Sequence, residues 1–252
     1  MEMPYFCECI FIKQKFSTML MLKILLACAL MCMSGCVLHD ATELQNSSAA
    51  TFSPALVVTH DISNTFDHVP PPSADQLQAW ATAIAATGGK IAFGLVGDPD
   101  STGHLVRGSF MPLPSLPKYP TFTDETEYTN AYDSITRENQ LRVATFVQSC
   151  LTLLGRHKNH KHTHLNGRFS DVATYFQEPG MERFQPVYFC ISDGFQDVRM
   201  STLTDTDLHP EIIPTHVKVM TCGWKNPVHP ANWVRMESPE ALTSVLYSLT
   251  PK

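Results

Sequence analysis

Two short apolar runs, ALVVT and VYFCIS, each lead into an acidic residue. The first run is followed by Asp61, with hydroxyl side chains two and four residues later at Ser63 and Thr65. The second run leads into Asp193 within the tetrapeptide ISDG. Carboxylates and hydroxyls are the oxygen donors that hard divalent cations prefer, and Mg²⁺ needs only a few of them because it keeps several waters. The spacing predicts a divalent-metal site; the simpler alternative is that both acids cap helices or bond amides at strand ends.

A second candidate for metal chemistry is the basic run RHKNHKHTH at 156–164. Its four imidazoles could bind Zn²⁺ or Cu²⁺. The Lys and Arg side chains among them repel a cation, which favours a solvated loop that titrates near neutral pH. Asp98 and Asp100 could reach the same rim as Asp61, but Pro99 between them favours a plain turn. Trp224 and Trp233 could form a partner-binding surface or belong to the core.

The elements that must position these residues alternate along the chain. Apolar runs predict strands at 55–60, 90–96, 187–192 and 216–222, with an edge strand at 104–110. Helices are predicted from Ser73 to Gly88, from about Asp124 to Gly155 with Leu141, Ala144, Val147, Leu151 and Leu154 on its apolar face, around 170–177, and from Ser238 to Leu249. This alternation predicts an α/β domain, a three-layer doubly wound fold with a mainly parallel sheet. Ligands of such sheets bind at the carboxyl ends of the strands, which is where Asp61, Asp98 and Asp193 lie.

The segments DISNT and YFCISDG resemble the metal-ion-dependent adhesion site (MIDAS) of von Willebrand factor A (vWA) domains. The resemblance covers roughly residues 54–249 and implies that Ser63 and Thr65 contact the metal directly. It implies that Asp61 and Asp193 act directly or through water, and that Ser170 in RFSDV replaces the family's third-loop threonine. Mg²⁺, with Mn²⁺ or Ca²⁺ as alternatives, is the implied cation, and an acidic group of a protein or peptide ligand would complete its shell. His60, the insertion FDHVPPP and Ser170 itself depart from the family pattern.

The N-terminus carries the pattern of an export signal. Residues 20–33 are almost wholly apolar, and the following MSGC resembles the lipobox of bacterial lipoproteins, in which Cys36 would carry the acyl chains, including palmitate. The predicted organisation is a signal region at 1–35, a lipidated tether at 36–53 and a vWA-like domain at 54–252, with translation starting at Met1, Met19 or Met21. The predicted location is the bacterial cell envelope, on the periplasmic side of the outer membrane in a Gram-negative host.

Composition and motifs narrow the function. A net charge of −6 argues against a nucleic-acid binder. The chain lacks GxSxG, HExxH and a phosphate-binding GK[ST] motif, which favours binding over catalysis. Two alternatives remain open: a metal-dependent hydrolase that uses Asp61, Asp193 and a histidine of 157–164, and a structural envelope protein with a degenerate site. Beyond the N-terminal region only Cys150, Cys190 and Cys222 remain, so at most one disulfide can form among them. Cys190 and Cys222 lie in apolar, strand-like runs, where a buried free thiol is the commoner state.

Overall fold

A computed structural model of the chain describes residues 53–64, 66–97, 105–116, 121–156, 161–199 and 204–249. The strands in these ranges are β1 Ser53–Asp61, β2 Lys90–Val96, β3 Val106–Ser109, β4 Phe184–Ile191, β5 Val198–Arg199, β6 Thr204–Asp205, β7 Lys218–Cys222 and β8 Val234–Met236. The helices are α1 Ala74–Ala85, α2 Phe122–Arg156, α3 Leu165–Phe176 and α4 Ala241–Leu249. Cys36 and the predicted signal region lie outside the described residues, so their roles stay predictions.

The main sheet has the strand order β3-β2-β1-β4-β7-β8. Every neighbouring pair is parallel except β2 with the edge strand β3, which is antiparallel. The four strands predicted to lie side by side do so, which confirms the doubly wound α/β fold. From β1 the chain first adds strands on one side and then, from β4 onward, on the other. The strand order therefore reverses between β1 and β4, the position at which such sheets form a crevice.

Helices cover both faces of the sheet, as expected for three layers. Alternate residues of β1 point to opposite faces because side chains alternate along a strand. Leu56 and Val58 pack in the cluster that includes α1, α2 and α4, whereas Ala55 and Val57 pack in the cluster built on α3. Both clusters are fully enclosed, so the central strands are apolar along most of their length. In β1 the buried polar residues Thr59, His60 and Asp61 lie at the carboxyl end.

Helix α1 begins where the sequence predicts and ends at Ala85, three residues before Gly88. The Ser73 hydroxyl accepts a hydrogen bond from Gln76 N, and the Gln76 side chain accepts one from Ser73 N, which is a complete capping box. After the helix, Gly88 has a φ of 67°. A Cβ there would lie 2.4 Å from the Cα of Pro112, so both the backbone conformation and the space require glycine.

Helix α2 differs from its prediction in start and in buried face. It begins at Phe122, because Thr121 and Asp124 cap it reciprocally. Val143, Phe146, Val147 and Cys150 are buried, whereas Leu141 is 64% exposed. The register is fixed by a polar residue: the buried Asn139 amide bonds both the N–H and the carbonyl of Met111. A count of apolar residues alone could not find that contact.

The remaining elements follow the expected pattern with smaller differences. Helix α4 begins at Ala241, three residues after the predicted Ser238. Cys190 and Cys222 are buried free thiols, as predicted, and so is Cys150. None of the helices among the described residues is both long and apolar enough to span a bilayer.

Candidate metal centre

Asp61 is the last residue of β1 and is fully buried. Ser63 N donates a 2.9 Å hydrogen bond to Asp61 Oδ1, which holds the carboxylate over the turn that follows the strand. Ile62 N donates to the carbonyl of Val96, the last residue of β2, and so fixes the same turn to the neighbouring strand. The side chains of Asp61 and Ser63 are thus held together at the carboxyl end of the sheet.

The partner segment follows β4. The register pairs His60 with Ile191, which brings Ser192 next to Asp61. Ser192 Oγ donates a 2.8 Å hydrogen bond to Asp61 Oδ2 and accepts one of 3.1 Å from Gly194 N. Gly194 has a φ of 82°, and a Cβ there would lie 2.4 Å from the Trp224 ring, so the turn after Asp193 requires glycine.

Asp193 is 5% exposed and is held by backbone contacts. Its Oδ1 accepts a 3.1 Å hydrogen bond from Phe195 N. Its carbonyl accepts hydrogen bonds from Lys225 N and Asn226 N, in the segment after β7. The loops after β1, β4 and β7 therefore meet at this one edge of the sheet.

The two carboxylates share an environment that is poor in compensating charge. Burial is the largest cause that raises the pKa of Asp61 to about 6; the nearby charge of Asp193 also raises it, and hydrogen bonds from Ser63 and Ser192 lower it. Burial also raises the pKa of Asp193, which Lys225 and His68 partly offset. Desolvated acids that repel each other favour either a proton or a cation between them.

Burial also shifts the pKa of His60, beside Asp61, but in the downward direction. Burial lowers its pKa to about 4, so the ring is neutral at pH 7. A neutral His60 ring does not repel a cation at Asp61.

The predicted ligands divide into three groups. Asp61, Ser63 and Asp193 lie at the same sheet edge. Thr65 lies outside the described residues. Ser170 has a different environment: it is on the exposed side of α3, and its hydroxyl donates a 3.0 Å hydrogen bond to the Asn166 carbonyl of its own helix.

The position of α3 differs from the prediction that put Ser170 at the start of a helix. The sequence predicted a helix around 170–177, with Ser170 at its start, but α3 begins at Leu165. Ser170 is therefore in the second turn, about 8 Å along the helix axis from its first residue. The early start was not visible in the sequence because His164, at the N-cap, makes no side-chain capping bond.

Thr163 is the hydroxyl residue that the structure places before α3. It is 2% exposed and pairs with Asp197 through two backbone hydrogen bonds, of 3.0 and 2.9 Å. The next residue, His164, donates its N–H to the carbonyl of Gly97, just after β2. These bonds tie Thr163 to the segment after Asp193 and to the end of β2. In the sequence, Thr163 stands two residues before the first residue of α3, within the His-rich run 156–164.

The other predicted features have separate outcomes. Residues 157–160 of the His-rich run, Asp98 and Asp100 lie outside the described residues. In the described ranges there is no cluster of three or more His, Cys, Asp and Glu side chains that could hold a metal.

The histidine whose charge acts on Asp193 is His68, from the FDHVPPP insertion. Trp224 and Trp233 are 6% and 7% exposed and pack edge to face with ring centroids 5.5 Å apart, so they belong to the core.

The strand order and the two motifs at the ends of adjacent central strands together define the architecture. The fold is a three-layer, doubly wound α/β fold with a mainly parallel sheet. Neither a protein-family model nor a curated protein sequence matches the chain.

Solved structures with a similar arrangement include proximal thread matrix protein 1 from the mussel byssus with a zinc-occupied MIDAS motif, at 11% identity and a TM-score of 0.36 over 79% of this chain and 48% of that one. Manganese-loaded TRAP protein from Plasmodium vivax gives 8% identity and a TM-score of 0.41 over 79% and 74%. An aerotolerance-related membrane protein from Bacteroides fragilis gives 8% and 0.37 over 77% and 97%. This chain spans about half the length of the mussel protein.

Proposed function

We propose that this chain is a lipid-anchored protein of the bacterial cell envelope whose vWA-like domain binds a divalent cation and, through it, an acidic group of a protein or peptide ligand. The observation that supports the metal site most strongly is the hydrogen bond between Ser192 and Asp61, which places two buried carboxylates at the point where the strand order reverses. Lipid anchoring at Cys36 rests on the sequence pattern alone.

The donor set suits a hard cation. Asp61 and Asp193 supply carboxylate oxygens, and Ser63 and Thr163 supply hydroxyls, with Thr65 added on the basis of the sequence. Each carboxylate has lone pairs beyond those used by its present hydrogen bonds, since an ionised carboxylate offers about four acceptor sites. Two acids with hydroxyls and water are sufficient for Mg²⁺ or Mn²⁺. Ser170 is replaced by Thr163 in this set.

A bound cation would neutralise the repulsion between the two carboxylates and offer an electrophilic position to an incoming acidic group. The chain's own residues fix where that happens. Ser192 orients Asp61, the 192–194 turn orients Asp193, and the Thr163–Asp197 pairing holds the third loop against them. Asp61 is the last residue of β1, and Ser63 and Asp193 lie within two residues of a strand end, so the sheet supports the binding constellation.

Thermal unfolding with added cation tests the metal proposal. Wild-type protein in Mg²⁺ or Mn²⁺ at about 100 times the dissociation constant should gain about 2.7 kcal/mol, a rise in Tm of roughly 5–10 °C. Asp61→Asn keeps the shape of the side chain and should lose the rise. Asp133→Asn makes the same charge change on the exposed side of α2 and should keep it. An equal rise in both variants, or none in wild type at millimolar cation, would remove the metal from the proposal.

A further inference from the structure

A fully buried arginine lies on the apolar face of α3. Arg168 is 0% exposed, as are its neighbours on that face, Leu165, Phe169 and Val172. A guanidinium stays protonated in proteins, so a full positive charge is enclosed in the core. Removing such a charge from water is costly unless it is paired and hydrogen-bonded. The contacts that offset this cost identify the position that Arg168 holds.

Both outer nitrogens of the guanidinium have a partner. Nη2 donates a 2.6 Å hydrogen bond to the carbonyl of Leu95, close to the end of β2. Nη1 lies 3.0 Å from Oδ2 of Asp171, whose side chain is 50% exposed. Burial lowers the pKa of Arg168, and the charge of Asp171 raises it. Because water screens the half-exposed Asp171, the bond to Leu95 is the contact that the protein interior encloses.

Strand β2 leaves room for this guanidinium at Gly94. A Cβ at Gly94 would lie 3.2 Å from Nη1 of Arg168 and 2.6 Å from Cδ2 of Leu105. A glycine inside a strand often marks the close approach of another group. The strand therefore lacks a side chain at the point where the guanidinium packs against it.

The end of β2 also holds two loops of the candidate metal centre. The carbonyl of Val96 accepts a 3.0 Å hydrogen bond from Ile62 N, in the turn after β1. The carbonyl of Gly97 accepts one of 3.0 Å from His164 N, in the loop before α3. The carbonyls of residues 95–97 thus bind the guanidinium, the first loop and the third loop in turn. A shift of α3 along β2 would move the third loop relative to the first.

We infer that Arg168 is a positioning residue for the metal centre: its bond to Leu95 fixes α3 against β2 and so sets the place of Thr163. The link along the helix is short, because Arg168 N donates a 3.3 Å hydrogen bond to the carbonyl of His164, next to Thr163. The inference deepens the proposed function and rests on it for Thr163 as a metal ligand.

Calorimetric titration with Mn²⁺ in a double-mutant cycle tests this coupling. Arg168→Met replaces the guanidinium by an apolar group that fills irregular core space. It should weaken Mn²⁺ binding about 10-fold, as the loss of an outer-shell partner does. In the Thr163→Val background the same change should weaken binding less than about 2-fold, because its path to the cation is already removed. Additive losses in the two backgrounds would overturn the inference.

Asp171→Asn is the matched control. It removes the charge beside Nη1 and leaves the bond from Nη2 to Leu95, so we expect the affinity of wild type for Mn²⁺. A loss as large as that of Arg168→Met would assign the effect to the charge of the pair and contradict the role of the Leu95 bond.

Amide hydrogen exchange in EDTA gives a readout that does not depend on metal. In Arg168→Met, the amides of Thr163 and His164 should exchange about 2- to 10-fold faster than in wild type, the range that one net hydrogen bond provides. The amide of Ile62, bonded to the same strand end, should be unchanged. Arg168→Lys keeps the charge without the planar fork; it replaces Arg168→Met if that variant does not fold, and the same direction is expected.

The two readouts separate this inference from the metal proposal. Faster exchange at Thr163 and His164 in a protein that binds no Mn²⁺ contradicts only the metal proposal. Mn²⁺ binding by wild type with unchanged exchange in the Arg168 variants contradicts only the positioning role of Arg168.

Discussion

The hydroxyl of Ser192 donates a 2.8 Å hydrogen bond to Oδ2 of Asp61, and these two residues are 131 positions apart in the chain. The bond joins the ends of β1 and β4, the two strands between which the strand order reverses. It satisfies one oxygen of a fully buried carboxylate while Ser63 N satisfies the other. Ser192 therefore acts as a positioning residue for the centre, although it was not among the ligands predicted from the sequence.

Replacement of Ser192 by alanine should destabilise the metal-free domain. The change removes one of the hydrogen bonds that compensate the buried Asp61 carboxylate, which should cost about 1–3 kcal/mol at pH 7. Urea unfolding measures the loss. Ser149→Ala is the matched control, because its hydroxyl is exposed and bonds only the Thr145 carbonyl of its own helix; we expect a change within about 0.5 kcal/mol there. Equal losses in the two variants would show that Ser192 does not support Asp61.

The raised pKa of Asp61 predicts a specific pH dependence of stability without metal. A folded-state pKa of about 6 exceeds the ordinary 3.8, so the folded state holds this proton more tightly than the unfolded state. The stability that Asp61 contributes is then fully present below pH 4 and lost as pH rises through 6, by up to about 3 kcal/mol.

Urea unfolding of wild type and Asp61→Asn in EDTA between pH 4 and 7.5 isolates this contribution. The difference between the two proteins cancels the titrating groups that do not interact with Asp61, including Asp124, whose pKa is lowered by its bonds to Thr121. We expect Asp61→Asn to gain stability relative to wild type as pH rises. A difference that stays constant across this range would contradict the charge environment described for Asp61.

Thr163 and Ser170 give opposite predictions for metal affinity. Thr163→Val keeps the side-chain volume and removes the hydroxyl, and should weaken Mn²⁺ binding roughly 10- to 100-fold, the range found when partners of a metal site are removed. Ser170→Ala should leave the affinity unchanged, since its hydroxyl bonds its own helix. Calorimetric titration of both variants decides which residue belongs to the third loop, and the reverse ranking would restore Ser170.

Membrane attachment is predicted to depend on Cys36. Cys36→Ser should release the protein from the membrane fraction or leave the precursor unprocessed, because the acyl chains have no sulfur to join. Incorporation of labelled palmitate is the direct measurement. Equal labelling of wild type and Cys36→Ser would exclude this cysteine as the lipid carrier, and Cys32→Ser within the apolar segment serves as the control.

The sequence predicted the sheet well because its strands are β-branched, apolar and bounded by turn residues. It also predicted α1, whose capping box is local in sequence. It missed what depends on distant contacts: the Ser192–Asp61 bond, and the burial of Asn139, which sets the face of α2. It placed α3 five residues late because Leu165 follows a histidine without a capping bond, and this is why it put Ser170 at the start of the helix.

Diffraction from crystals soaked in Mn²⁺ tests the metal centre most directly, because the anomalous signal locates the ion without assumptions about its ligands. The account predicts one strong peak at the carboxyl ends of β1 and β4, with oxygens of Asp61, Ser63, Thr163 and Asp193 within about 7 Å, as direct or water-mediated coordination requires. No peak at saturating Mn²⁺, or a peak at His162 and His164 instead, would contradict it.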